Sequence, residues 1–157
     1  MPPTILFICT GNYYRSRFAE ELFNALATRL GLDWRAVSRG LDTKRGGNVG
    51  PISPHVVKKL QLLDIPVEAN LREPLQLGKS DLLEADLVIA LDAEEHKPLM
   101  ARQFAAWAER TMYWHVPDLH LMKAEEALSR IESNVSLLVQ ELSSRITLLE
   151  QGKPDQE

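Results

Sequence analysis

Thr4-Ile5-Leu6-Phe7-Ile8-Cys9-Thr10-Gly11-Asn12-Tyr13-Tyr14-Arg15-Ser16 is the stretch on which the fold turns. Its first six residues form an almost unbroken apolar run, the mark of a strand buried on both faces in a parallel sheet. Gly11-Asn12 then interrupts the run. Glycine adopts positive φ without cost and asparagine is the next most tolerant residue, so Gly11 and Asn12 allow the chain to curl. Beyond the loop, Phe18, Ala19, Leu22, Phe23, Leu26 and Leu30 recur at spacings of three and four, and Gly31 supplies a stop. The chain therefore opens strand–loop–helix.

That order has chemical content. The loop lies at the carboxyl end of a strand, where ligands bind in sheets of this kind. It feeds a helix N-terminus, whose unpaired N–H groups and positive dipole suit a phosphate dianion. Successive amides of a curled loop form an anion nest. Arg15, six positions after Cys9, can clamp two phosphate oxygens with its planar fork. The same positive surroundings favour the Cys9 thiolate, the form that attacks, and Ser16 can donate a hydrogen bond to it. A lone cysteine is more often a small buried apolar residue than a nucleophile. Strand before, helix after, Gly-Asn within and Arg15 at the exit together reverse that default.

Strands and helices alternate through the rest of the chain. Asp33–Arg39 reads as a second strand ending at Gly40. Leu41–Ser53 is a Gly-rich polar loop of the kind used for binding. Ser53 is expected to cap a helix that has Pro54 at its first position and runs through Val56, Val57, Leu60 and Leu63. A short helix is expected after Ser80 as its cap. Residues 86–91 form another buried strand, ending at Asp92, and residues 94–107 a helix. Thr111–Val116 is the fourth strand, running into Pro117-Asp118. From near Lys123, Leu128, Ile131, Val135, Leu138, Leu142, Ile146 and Leu149 repeat at helical spacing, which places a terminal helix against the sheet. The pattern predicts an α/β protein, a doubly wound three-layer sandwich on a four-stranded parallel sheet, with the phosphate-binding loop after the first strand. One domain is expected over residues 1–150, with a tail over 151–157.

Composition narrows the classes. The chain has 157 residues, 45% apolar and 25% charged, with net charge −4. No long Lys/Arg run offers a nucleic-acid backbone a partner, and Lys58-Lys59 is read as a solvated helix face. No apolar stretch approaches the roughly 18 residues of a membrane span, and no basic residue precedes the first apolar run as in a secretory signal, so a cytoplasmic protein is expected. The single cysteine excludes an intramolecular disulfide and a multi-thiolate metal site, and no metal is expected.

Ile8 through Ser16, followed by Phe18-Ala19-Glu20, closely resembles the active-site segment of the low-molecular-weight protein tyrosine phosphatases. Ser38-Arg39-Gly40, Asn48-Val49-Gly50-Pro51, Asp86-Leu87-Val88-Ile89 through Leu91-Asp92, and Val116-Pro117-Asp118 resemble later segments of that family in the same order. The resemblance implies that Cys9 attacks phosphorus and forms phosphocysteine. Arg15 and the loop residues Thr10, Gly11, Asn12, Tyr13, Tyr14 and Ser16 would hold the phosphate, and Asp118 would protonate the leaving oxygen and then activate water. No cofactor is implied. The expected substrate is a phosphorylated protein, above all one bearing phosphotyrosine, or a small phosphate ester, and the expected state is a monomer or weak dimer.

The chain also departs from the family. Tyr14 stands where a second cysteine is usual, which removes the disulfide that protects the nucleophile in many members. Arg17 stands where proline usually follows Ser16, and is expected to be solvated. Leu119-His120 replace the usual proline and aromatic after Asp118. Tyr13 is expected at the pocket rim and Tyr14 in the core. Arginine phosphatases of the family tend to have a small hydroxyl residue at the position of Tyr13. His55 and His96 are expected at the surface, and His115 and His120 flank Asp118. Two alternatives stay open: an arsenate reductase drawing on an external thiol, and a phosphate- or phosphopeptide-binding protein with little turnover.

Overall fold

The computed structural model describes residues 2–45, 47–67 and 72–151. Its elements are β1 (Thr4–Cys9), α1 (Arg15–Leu30), β2 (Arg35–Gly40), α2 (Pro54–Leu62), α3 (Lys79–Glu84), β3 (Leu87–Ala90), α4 (Ala93–Gln103), α5 (Ala105–Ala108), β4 (Met112–Tyr113) and α6 (Ala124–Gln151). The four strands form one sheet in the order β2-β1-β3-β4, all neighbours parallel.

β1 is central, which is why it reads as a continuous apolar run. Ile5, Phe7 and Cys9 face a core shared with α1, α2 and α6. Leu6 and Ile8 face the opposite core, which is built with residues of α3, α4 and α5. Ile5 through Ile8 are fully buried. Each such side chain contributes roughly 1.5–3 kcal/mol relative to exposure. Helices thus cover both faces, as expected for the doubly wound sandwich. The strand order reverses at β1, so the crevice beyond the carboxyl ends of β1 and β3 is where a ligand site belongs.

Several sequence expectations need correction. The helix expected over 94–107 breaks at Phe104 (φ −141°, ψ 61°), which leaves the helical region and packs its ring into the α3–α5 core. α3 begins after Gly78 rather than Ser80, because the Asp81 carboxylate accepts the Gly78 N–H at 2.9 Å. The fourth strand pairs only through Met112 and Tyr113. The backbone bonds Trp114 N–H to Ala90 and Val116 N–H to Leu91 then carry the chain to the site. α2 does start at Pro54 with Ser53 as its cap, the hydroxyl accepting from the His55 N–H at 3.2 Å. On α6, Leu128, Ile131, Val135, Leu138 and Leu142 are buried against the sheet side. The side chains of Ile146 and Leu149, and the tail expected beyond Gln151, lie outside the described residues. No described helix is long and apolar enough to cross a membrane.

Candidate active site

β1 delivers Cys9 to the crevice, in register with Gly40 of β2. A side chain at Gly40 is impossible: its Cβ would lie 2.7 Å from the Thr10 carbonyl oxygen and 3.0 Å from the Asn12 Cβ. Gly40 is therefore required by close approach, and it lets β2 brace the loop. The Leu41 and Asp42 amides donate to the carbonyls of Cys9 and Thr10 at 3.0 and 2.9 Å. Of the two residues expected to allow a left-handed turn, Asn12 takes it (φ 50°) and Gly11 does not. The reason is the Asn12 carboxamide, all of whose hydrogen-bonding capacity is used. Its Nδ2 donates to Ser16 Oγ and Ser38 Oγ, both at 2.9 Å, and its Oδ1 accepts from Arg72 Nη1 and the Leu75 amide, both at 3.0 Å. Four fixed partners hold asparagine in a conformation that glycine would adopt unaided.

This network reaches the sulfur. Ser16 Oγ accepts from Asn12, so its own proton is free to point at Cys9 Sγ, 2.8 Å away. Ser16 and Cys9 are both buried. α1 begins at Arg15 with no side-chain cap on its N-terminal amides, as an anion site requires.

Arg15 is 2% exposed and held at both ends of its fork. Nη1 donates to the Val116 carbonyl at 2.8 Å and Nη2 to Glu95 Oε2 at 2.6 Å. Burial opposes its charge, but the bond to Glu95 and the negative charges of Cys9, Glu95 and Asp118 outweigh it and raise its pKa. Asp118 Oδ2 lies 3.8 Å from Arg15 Nη2. The loop that carries Asp118 lacks the family's proline but is closed by a turn: the Leu121 and Met122 amides donate to the Asp118 carbonyl at 2.9 and 3.1 Å. Cys9, Gly11, Tyr13, Tyr14, Arg15, Asn48, Asp118 and Leu119 line one pocket of about 90 Å³. The nucleophile, clamp and acid expected from the sequence therefore meet at one place.

Glu95 was not anticipated. It sits in the first turn of α4, just past Asp92, whose side chain caps that helix by accepting the Glu95 amide at 3.3 Å. Its carboxylate gathers Arg15, the Thr10 hydroxyl and His96 Nε2, the last at 3.0 Å. Burial would raise the Glu95 pKa, but hydrogen bonds from His96, Arg15 and Thr10 outweigh it and hold the carboxyl well below the usual carboxylate range. His96 is fully buried, a correction to the surface position expected for it. Its Nδ1 accepts the Asp92 amide at 3.0 Å, which assigns the proton to Nε2, facing Glu95 and Thr10 Oγ1 (3.2 Å). The available signal was position: Glu95-His96 follow a strand end at the ligand side of the sheet.

Arg17 also corrects an expectation. It is fully buried rather than solvated. Nη1 donates to the carbonyls of Pro51 (2.9 Å) and Asn12 (3.4 Å), and Nη2 to the carbonyl of Arg72 (3.0 Å). One side chain thus ties the phosphate loop, the 41–53 loop and the Arg72 segment together. Tyr13 and Tyr14 divide as expected. Tyr13 is half-buried at the rim, its hydroxyl donating to the Val49 carbonyl at 2.5 Å, and Tyr14 is in the core. Burial pushes the Tyr14 pKa up to about 12, and its hydroxyl has no hydrogen-bond partner among the described residues. His55 is exposed, as are His115 and His120.

A thiol in an anion-binding loop at the switch point of a parallel sheet, faced by an arginine and a carboxylate, defines a cysteine-dependent phosphatase scaffold. Over residues 4–148 the chain matches the low molecular weight phosphotyrosine protein phosphatase family, and it belongs to that family. A protein-arginine-phosphatase of Bacillus subtilis is 36% identical over 107 residues, 68% of this chain and 66% of the relative. Arsenate reductase 1 of Staphylococcus haemolyticus is 33% identical over 100 residues, 62% of this chain and 66% of the relative. The chain thus spans just under two thirds of the length of these curated relatives. The crystal structure of a low molecular weight protein tyrosine phosphatase from T. tengcongensis superposes with TM-score 0.71 at 30% identity, covering 91% of this chain and 99% of that one.

Proposed function

We propose that this domain hydrolyses phosphate monoesters of protein tyrosine through a phosphocysteine intermediate. The observation that carries the reading is the convergence of Cys9, Arg15 and Asp118 on one pocket. In the first step the Cys9 sulfur bonds to phosphorus, the bond from phosphorus to the phenolic oxygen breaks, and Asp118 gives its proton to that oxygen. In the second, Asp118 takes a proton from water as the water oxygen bonds to phosphorus. The S–P bond breaks, releasing inorganic phosphate and restoring the thiolate. Arg15 and the amides of residues 10–15 hold the equatorial oxygens through both steps. Cys9, Arg15 and Asp118 supply every group these steps need, so no metal or organic cofactor takes part.

An aromatic leaving group fits the mouth, where Tyr13 and Leu119 offer apolar walls. The B. subtilis relative favours a second reading, phosphoarginine, and the bulk of Tyr13 at the mouth speaks against it. The proposed setting is the cytoplasm and the proposed substrate a phosphorylated protein, acted on by a monomer or weak dimer.

The test compares phosphotyrosine and phosphoarginine peptides, aryl phosphates of graded leaving-group basicity, and arsenate with a small thiol. Wild-type turnover is expected to be fastest on phosphotyrosine. Cys9→Ser should lose nearly all activity. Asp118→Asn should lose about 10²–10⁴-fold, the range of general acid catalysis, with the loss growing as the leaving group becomes more basic. Phosphate or vanadate binding without turnover would replace this reading with a binding role.

A further inference from the structure

The catalytic pocket ends at Tyr13, and a second concavity begins on the other side of the same residue. This groove has a volume of about 470 Å³, and its walls include Tyr13, Val49, Pro51, Ile52, Val57 and Lys58. We infer that it is a substrate subsite that takes an apolar side chain flanking the phosphorylated residue, with an acidic group of the same substrate reaching Lys58. The inference rests on the protein-substrate reading above and names which protein sequences that site prefers.

Continuity is the first argument. A substrate whose phosphate reaches Cys9 leaves the catalytic pocket over Tyr13, which lines both concavities. The chain attached to the phosphorylated residue has only to cross that side chain to enter the groove.

The second argument is that the groove is built and held. The Tyr13 hydroxyl donates to the Val49 carbonyl at 2.5 Å, and the Ser53 amide donates to the Tyr13 carbonyl at 2.9 Å. Both walls are therefore fastened to the phosphate loop. Ile52, 6% exposed, forms the floor, and Arg17 anchors the neighbouring Pro51 carbonyl from below. Above this fixed floor, Val49 is 85% exposed at the rim. An apolar rim on a rigid, mostly apolar groove loses water readily to an apolar side chain.

Charge gives the third argument. The two adjacent lysines of α2 differ. Lys59 pairs with Glu132 at 3.1 Å, whereas Lys58 has no carboxylate partner among the described residues and lines the groove. An acidic residue on the substrate completes that pair.

The experiment measures kcat/KM on phosphotyrosine peptides in which leucine or serine is placed at successive positions flanking the phosphotyrosine. A second series places glutamate or lysine beyond that residue. Phenyl phosphate, which reaches no further than the pocket, is the control. At one flanking position leucine is expected to exceed serine by about tenfold, the worth of burying a few methylene groups. Glutamate should be preferred beyond it, and Lys58→Glu should reverse that preference while leaving phenyl phosphate turnover within about twofold. Equal rates for leucine and serine at every position would overturn the subsite while leaving the phosphotyrosine reading intact. So would a Lys58→Glu loss shared equally by phenyl phosphate. Turnover of phenyl phosphate with none of any peptide would instead remove the protein-substrate reading, and the subsite with it.

Discussion

Arg15 Nη2 lies 2.6 Å from Glu95 Oε2, and the same oxygen also receives the Thr10 hydroxyl. A carboxylate beside an anion site is costly unless it is consumed by its neighbours, and here it has three donors. With Nη1 on the Val116 carbonyl, the bond to Glu95 fixes the plane of the guanidinium while Nε and the remaining Nη protons stay available for phosphate. Glu95→Gln keeps the size and removes the charge. It is expected to lower kcat/KM for an aryl phosphate by about 10- to 100-fold, the equivalent of one charge-assisted hydrogen bond. Glu95→Asp should recover part of it. Steady-state kinetics on the three proteins checks this, and unchanged kinetics in Glu95→Gln would assign Glu95 to stability alone.

Arg17 meets three backbone carbonyls from three separate segments, those of Asn12, Pro51 and Arg72. Arg17→Met fills the space and leaves them without that donor. A loss of about 3 kcal/mol is expected, since buried acceptors cost about 1–3 kcal/mol each to leave unmet and some regain water. For a domain of this size that is about 6–12 °C in Tm. Thermal and urea unfolding read it directly. Arg17→Lys, with one ammonium in place of the fork, should fall between.

The parallel sheet and the loop that brings Cys9 and Arg15 to the pocket were legible because each leaves a local mark. β1 is a run of apolar residues with no polar face, and Cys9, Gly11-Asn12 and Arg15 are spaced by the loop itself. The supports were not legible, because they are set by contacts between residues far apart in sequence. Nothing local distinguishes Arg17 at the first turn of α1 from a solvated arginine, since its partners lie at 51 and 72. Asn12 rather than Gly11 takes the positive φ because Ser38, Arg72 and Leu75 complete its carboxamide. His96 reads as an exposed helical residue until β3 places Asp92 against it.

Tyr14 occupies the place of the family's second cysteine, and Cys9 is the chain's sole cysteine. No internal thiol can capture a sulfenic acid on Cys9 as a disulfide. Strong peroxide treatment is expected to carry the sulfur on to sulfinic and sulfonic acids, with activity that does not return on adding thiol. Inorganic phosphate in the pocket should slow the loss. Full recovery with thiol after such treatment would contradict this.

The Tyr14 hydroxyl is buried without a hydrogen-bond partner among the described residues. Tyr14→Phe removes that unmet group and keeps the ring that packs beside His55 at 6.4 Å. Stability should rise by about 1 kcal/mol, seen as a higher urea midpoint at unchanged m. Turnover of phenyl phosphate should change little. A tenfold loss of kcat would instead show that the hydroxyl serves the reaction.

Glu21, on α1 one residue past Glu20, gives stability an unusual slope with pH. Burial, then the charge of Glu20 and a hydrogen bond with it, push the Glu21 pKa from 4.5 up to about 7, while Arg17 and Arg72 oppose the shift. Below pH 4.5 the group is protonated whether the chain is folded or not, and it contributes no slope. Between about 4.5 and 7 the unfolded chain releases the proton and the folded chain keeps it. The folded state binds more protons there, so stability falls as pH rises through that window. Glu95 acts in the opposite sense: its lowered pKa gives stability that is present above the usual carboxylate range and lost in acid. Glu21→Gln deletes only the first effect. The variant should match wild type near pH 4.5, exceed it increasingly toward pH 7, and hold a constant advantage above that. Urea denaturation across this range measures the difference, and a gap that does not vary with pH would place Glu21 outside the titrating cluster.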